Sequence, residues 1–86
     1  MPIISAFYGI VIRMFYQEHD PPHFHAEHQG NLAAFGFAGD VVAGVIPSGR
    51  ARRLIQQWAS LHRGELEANW ERLKAGHPLE RIEPLE

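Results

Sequence analysis

His19-Asp20-Pro21-Pro22-His23-Phe24-His25-Ala26-Glu27-His28 alternates two apolar residues with histidines and an acid, directly after a pair of prolines. Side chains two apart share one face of a strand, so Phe24 and Ala26 point one way while His23, His25 and Glu27 point the other. Pro21 and Pro22 have no backbone N–H to give to a ladder, so residues 17–22 are expected to form the loop before this strand. A strand patterned this way belongs to a sheet with one dry face and one wet face.

Upstream, residues 10–16 alternate in the same manner. Ile10, Ile12, Met14 and Tyr16 fall on one side, and Val11, Arg13 and Phe15 on the other, which Arg13 makes the wetter one. Matching the apolar faces of an antiparallel pair sets even-numbered residues opposite even-numbered ones. A register with Met14 opposite Ala26, Arg13 opposite Glu27 and Phe15 opposite His25 meets that condition. Ile3-Ile4 is a short strand candidate, and Ser5 to Gly9 reads as a bend.

Downstream, Gln29-Gly30-Asn31 reads as a turn in which Gly30 and Asn31 can take positive φ. Residues 32–37 make a third strand, Gly39-Asp40 a second turn, and residues 41–46 a fourth strand. Pro47 ends the sheet, and Ser48 is placed to cap a helix over residues 49–63 whose apolar stripe is Ala51, Leu54, Ile55, Trp58 and Leu61. Gly64 is expected to break it. A second helix over 65–75 carries Leu66, Trp70 and Leu73 and stops at Gly76-His77-Pro78, while Ile82 and Leu85 tie the tail to the sheet. Both tryptophans lie on apolar stripes and are expected in the core. The expectation is one α+β domain over residues 1–86, a four-stranded, mainly antiparallel meander followed by two helices packed on one face.

With 86 residues, such a domain buries only about 60–65% of its unfolded surface. A partner protein, a metal or a second copy in a homodimer would add to its stability. The chain has no cysteine, which excludes disulfides, thiolate nucleophiles and cysteine-type zinc sites and makes a cytoplasmic location the simplest expectation. The formal charge of −2 argues against binding nucleic acid by bulk charge. Residues 1–12 are apolar but lack a basic leader, are interrupted by Pro2 and Gly9, and meet Arg13 well short of the about 20 residues that span a membrane. They read as core strand, with no membrane association expected.

Chemistry has to come from histidine, carboxylate or water. Two imidazoles on one strand face are a common start for a metal site, so His19, His23, His25 and Glu27 are candidate ligands for a divalent ion such as zinc, with Asp20 as a further oxygen. The same face, used differently, offers His23 or His25 as a proton shuttle, Glu27 to orient it and Arg13 to stabilise a developing anion. Such a set of candidate catalytic residues would suit phosphodiester cleavage in RNA. A third reading is the plain polar side of an amphipathic strand. Arg50, Arg52 and Arg53 place positive charge in a first helical turn, against the helix dipole. A phosphate of RNA or DNA, or a partner's acidic segment, would relieve that, and so would simple solvation or pairing with glutamates.

Met1-Pro2, Ile4-Ser5, Tyr8-Gly9-Ile10, Arg13-Met14, His19 with Pro21-Pro22-His23-Phe24-His25-Ala26-Glu27, Trp58, Leu61-His62, Asn69-Trp70 and Arg81-Ile82-Glu83-Pro84-Leu85-Glu86 together resemble the small bacterial domain-of-unknown-function family forty-one-sixty. The resemblance covers essentially the whole chain. It departs at residues 32–38, where it implies more polar and acidic residues, and at Gly64, where it implies an acid. Members of that family are similar in size to toxin-antitoxin components and are commonly encoded beside another small domain, which implies a partner protein. The leading expectation is therefore an interaction module of a toxin-antitoxin-like pair rather than an enzyme. A histidine-based or metal-dependent nuclease or hydrolase is the main rival, and a metal-binding or nucleic-acid-binding regulatory domain the third.

Overall fold

The computed structural model describes residues 2–86, so Met1, the first residue of the apolar opening, lies outside the described residues. Five antiparallel strands follow one another across a single sheet, β1 (Ile3–Phe7), β2 (Ile10–Arg13), β3 (His23–His28), β4 (Asn31–Gly36) and β5 (Val41–Gly44). Two helices close the chain, α1 (Gly49–Leu61) and α2 (Arg63–Lys74). The α+β meander is as expected, but the sheet has five strands and not four. The region read as a bend after Ile4 continues as strand to Phe7 because Ser5, Ala6 and Phe7 pair with Ile12, Val11 and Ile10.

Two hairpins turn on residue pairs that both hold positive φ, Tyr8-Gly9 and Gln29-Gly30. This backbone matches the right-handed twist of the flanking strands. The second turn thus uses Gln29 and Gly30, one residue earlier than the sequence suggests, and Asn31 opens β4 instead. At the other end of β4 the chain reverses through Gly39 and returns as β5. Gly44 has φ +76, and a Cβ there would sit 2.4 Å from the carbonyl oxygen of Leu32, so only glycine lets β5 approach β4 this closely.

The alternation sorts the faces as it should. Ile10, Ile12, Met14, Phe24 and Ala26 are buried, whereas Val11, Arg13, Phe15, His23, His25 and Glu27 are half-buried on the opposite face. Tyr16 departs from the pattern. β2 has already ended, and Tyr16 is exposed with its hydroxyl donating to the carbonyl of His77. The β2–β3 register is offset by two residues from the expected one, with Ile12 opposite Ala26, Arg13 opposite His25 and Val11 opposite Glu27. Either register matches the apolar faces, and the observed one leaves residues 14–22 as the loop between β2 and β3.

Phe24 organises the core. It stacks on Phe35 at 5.7 Å and meets Trp58 edge-on at 5.6 Å between ring centroids. Removing such a ring costs about 3–5 kcal/mol, a large part of the about 5–15 kcal/mol that hold a small domain together.

Ser48 caps α1 as its position suggests, its Oγ accepting from the backbone N–H of Ala51 at 3.0 Å. Ala51, Ile55 and Trp58 are buried and Leu54 half-buried, but Leu61 is exposed: Trp58 and Ala59 of the same last turn are fully buried, and the helical period sets Leu61 at the solvent edge of the stripe. His62 is the junction between the helices, not Gly64, which lies inside the first turn of α2 with open space around it. A glycine in a first helical turn costs about 1 kcal/mol at most, too little to end the helix.

Residues 75–86 fold back as a strap. Buried Asn69 holds it, donating from Nδ2 to the carbonyl of Glu80 at 2.8 Å and accepting the Glu80 N–H on Oδ1 at 3.0 Å. Trp58 Nε1 donates to the carbonyl of Glu83, and the N–H of Ile82 donates to the carbonyl of Ile4 on β1. Ile82 and Leu85 are buried, as the tail's apolar pattern implies.

Candidate functional site

The loop over residues 14–22 folds back over the wet face of β3, and this is where polar chemistry collects. Gln17 takes φ +66, turning the chain so that Glu18 reaches the two histidines of the strand. Glu18 Oε1 accepts from His25 Nε2 at 2.7 Å, and Glu18 Oε2 lies 3.4 Å from His23 Nε2. One donor atom from each of Glu18, His23 and His25 lies within 4.8 Å of the others, forming a cluster suited to a metal ion.

The histidines are held from behind. His23 Nδ1 lies 2.8 Å from the carbonyl oxygen of Pro21. That oxygen can only accept, so Nδ1 carries the proton and the lone pair of the neutral ring sits on Nε2, toward Glu18. A backbone carbonyl behind the ring is the usual way a protein fixes the tautomer and orientation of a metal-binding histidine. Pro21 and Pro22 place that carbonyl in the loop they stiffen.

An aromatic chain ties the cluster to the core. Phe15 meets His25 edge-on at 4.6 Å, His23 and His25 lie 5.2 Å apart, and His23 lies 5.4 Å from Trp70 between centroids. Trp70 in turn packs on Phe37, which stacks on Phe24. Trp70 is buried, as its helical position implies, yet it also serves the site, since its Nε1 donates to Asp20 Oδ1 at 3.2 Å and so anchors the loop. The side chains of His23, Glu18 and His25 stay 14%, 24% and 32% exposed, enough for an ion to reach them.

The remaining candidates are distributed differently. Glu27 is engaged by Arg13, whose Nη1 donates to Glu27 Oε1 at 2.6 Å across a diagonal of the β2–β3 ladder. His19 is exposed and stands outside the cluster of three. Asp20 accepts from Trp70 instead of joining the histidines. At the start of α1, Arg52 Nη1 donates to the carbonyls of Ile46 and Pro47 and pins the entry to the helix. Arg50 lies over the ring of Tyr8 at 6.0 Å, and Arg53 is exposed.

Sequence reasoning passed over Glu18. It precedes His25 by seven residues across a loop, with no periodicity to place it on the histidine face. Its one signal is position, an acid immediately before the His-Asp-Pro-Pro segment.

The family model of a domain of unknown function, DUF4160, matches residues 9–71. No curated protein and no solved structure matches the chain. The matched span contains both arms of the cluster, the loop with Glu18 and the strand with the histidines.

Proposed function

This chain belongs to the DUF4160 family, and we propose that it binds a divalent transition metal, of the zinc or iron class, through Glu18, His23 and His25. The observation that carries the reading is the convergence of two imidazoles and a carboxylate within 4.8 Å, with the tautomer of one imidazole set by the Pro21 carbonyl. Ligands at about 2.0–2.2 Å from a tetrahedral ion stand about 3.3 Å from one another, so small side-chain rotations bring these atoms into range. His25 Nε2 donates to Glu18 Oε1 at 2.7 Å, and a bound ion would take the place of that proton.

Three protein ligands leave coordination positions open for water or an exogenous ligand, as in catalytic zinc sites and in two-histidine, one-carboxylate iron sites. Metal analysis of protein purified without a nickel column, followed by zinc titration calorimetry, tests the reading. Near-stoichiometric uptake that vanishes in a His23→Ala, His25→Ala double variant and drops in Glu18→Ala is the expected result. A protein that takes up no ion, or binds zinc equally well without the histidines, refutes it.

A second reading, an interaction module of a toxin-antitoxin-like pair, is favoured by a different observation. The C-terminal strap hydrogen-bonds β1 at one edge of the sheet. At the other edge β5 carries Val41, Val42 and Ala43 exposed and without a charge, the kind of edge that proteins usually protect. Co-purification with the product of the adjacent gene tests it, and loss of the complex on a Val42→Lys change would locate the contact at this edge. A partner retained by the Val42→Lys variant would refute that placement.

A further inference from the structure

A recess of about 200 Å³ opens on the histidine-bearing sheet face beside the cluster, lined by Arg13, Phe15, His25, Ala26, Glu27 and Leu32. His25 belongs to both: its Nε2 faces Glu18, and its ring forms part of the recess wall. Phe15 leans on that ring edge-on, and Leu32, 61% exposed, adds a second apolar side chain to the wall. The two charges on the rim neutralise each other, Arg13 being hydrogen-bonded to Glu27.

The charge pattern narrows the ligand. A polyanion needs several cations to replace its counterions. Here the one cation of the recess already has a carboxylate partner, and Glu18 adds negative charge at the cluster. The available attractions are the open positions on a metal and the apolar walls of Phe15 and Leu32. Ligand sites of this kind combine apolar lining with a few polar anchors that fix orientation.

We propose that the site takes a small monoanionic organic ligand whose carboxylate-like or hydroxamate-like head binds the metal and whose short, uncharged hydrocarbon tail lies in the recess against Phe15 and Leu32. The proposal rests on the metal-binding reading and adds the ligand class to it. Nucleic-acid phosphate is the ligand it excludes.

Calorimetric titration of the zinc-loaded protein with acetohydroxamate, hexanohydroxamate and inorganic phosphate tests this, after a zinc titration of the same preparation. Hexanohydroxamate should bind about tenfold or more tightly than acetohydroxamate, the scale expected when two or more methylenes leave water, and phosphate more weakly than either. Leu32→Ser, an exposed change that leaves the cluster intact, should cut the preference for the longer tail to about twofold or less by losing apolar wall. It should leave zinc uptake unchanged. Zinc uptake with equal binding of the two hydroxamates, with a preference that survives Leu32→Ser, or with phosphate bound tightest overturns this inference alone. Failure to take up zinc at all overturns it together with the metal reading.

Discussion

Replacing Asn69 by alanine should release the C-terminal strap and destabilise the whole domain. Asn69 is fully buried, and its amide satisfies both backbone groups of Glu80 at 2.8 and 3.0 Å while Oδ1 also accepts from Arg72 Nη1 at 2.8 Å. Each such bond is worth about 1 kcal/mol net, and partners left without water cost more, so the loss should be about 2–3 kcal/mol. For a domain of this size each kcal/mol moves Tm by about 4–8 °C, which puts the fall at roughly 10–20 °C. Asn69→Asp is the informative companion. It keeps an acceptor for the Glu80 N–H but turns a carboxylate oxygen toward the Glu80 carbonyl, so it should recover little of the loss. Thermal unfolding followed by circular dichroism gives the magnitude, and hydrogen exchange gives the location. The Ile82 amide, which donates to the carbonyl of Ile4 at 2.7 Å, should lose protection before the β2–β3 amides do. A Tm within about 2 °C of the parent would refute the reasoning, since the three bonds sum to several times that shift. So would a large drop with Ile82 still protected, because the loss would then come from α2 and not from the strap.

Other outcomes follow from the same geometry. Zinc at about a hundred times its dissociation constant should raise stability by about 2.7 kcal/mol, a Tm gain of roughly 10–20 °C that disappears in the His23→Ala, His25→Ala variant; differential scanning fluorimetry reads it directly. Trp70→Phe keeps a ring against His23 but loses the Nε1 bond to Asp20 and part of a buried side chain, so Tm should fall by about 5–15 °C, and zinc affinity measured on the folded variant should fall about tenfold; an unchanged affinity would show that the loop needs no such anchor. Gly64→Ala should raise stability by about 0.5–1 kcal/mol, because the position is helical and a Cβ there meets no atom within 4 Å; a destabilised variant in urea unfolding would contradict that.

Much of this protein is legible before any coordinates. Alternation at Ile10, Ile12, Met14 and at Phe24, Ala26 assigns which face is dry, because the strand period is two and a slip of one residue would expose the core. Ser48 marks the start of α1 because a side-chain oxygen there satisfies an otherwise orphaned N–H. The errors have equally physical sources. Alternation sets parity alone, so the register could be offset by two residues without disturbing either face. Leu61 sits at helical spacing from Trp58, but spacing alone does not fix how wide the buried arc of the helix is, and Leu61 falls at its exposed edge. Gly64 reads as a breaker because glycine is a weak helix former, yet His62 is where the chain leaves helical geometry.

The candidate site divides the same way. Local periodicity alone brings His23 and His25 to one face, since neighbours two apart on a strand have no choice in the matter. Which carboxylate joins them was decided by tertiary structure. Glu27 shares their face, but Arg13 from β2 takes it across the ladder, while Glu18 arrives from a loop whose path depends on the turn at Gln17 and on the Trp70 anchor beneath Asp20. Sequence patterns report periodicity within an element; a loop has none, so its contacts emerge only when the elements on either side have packed.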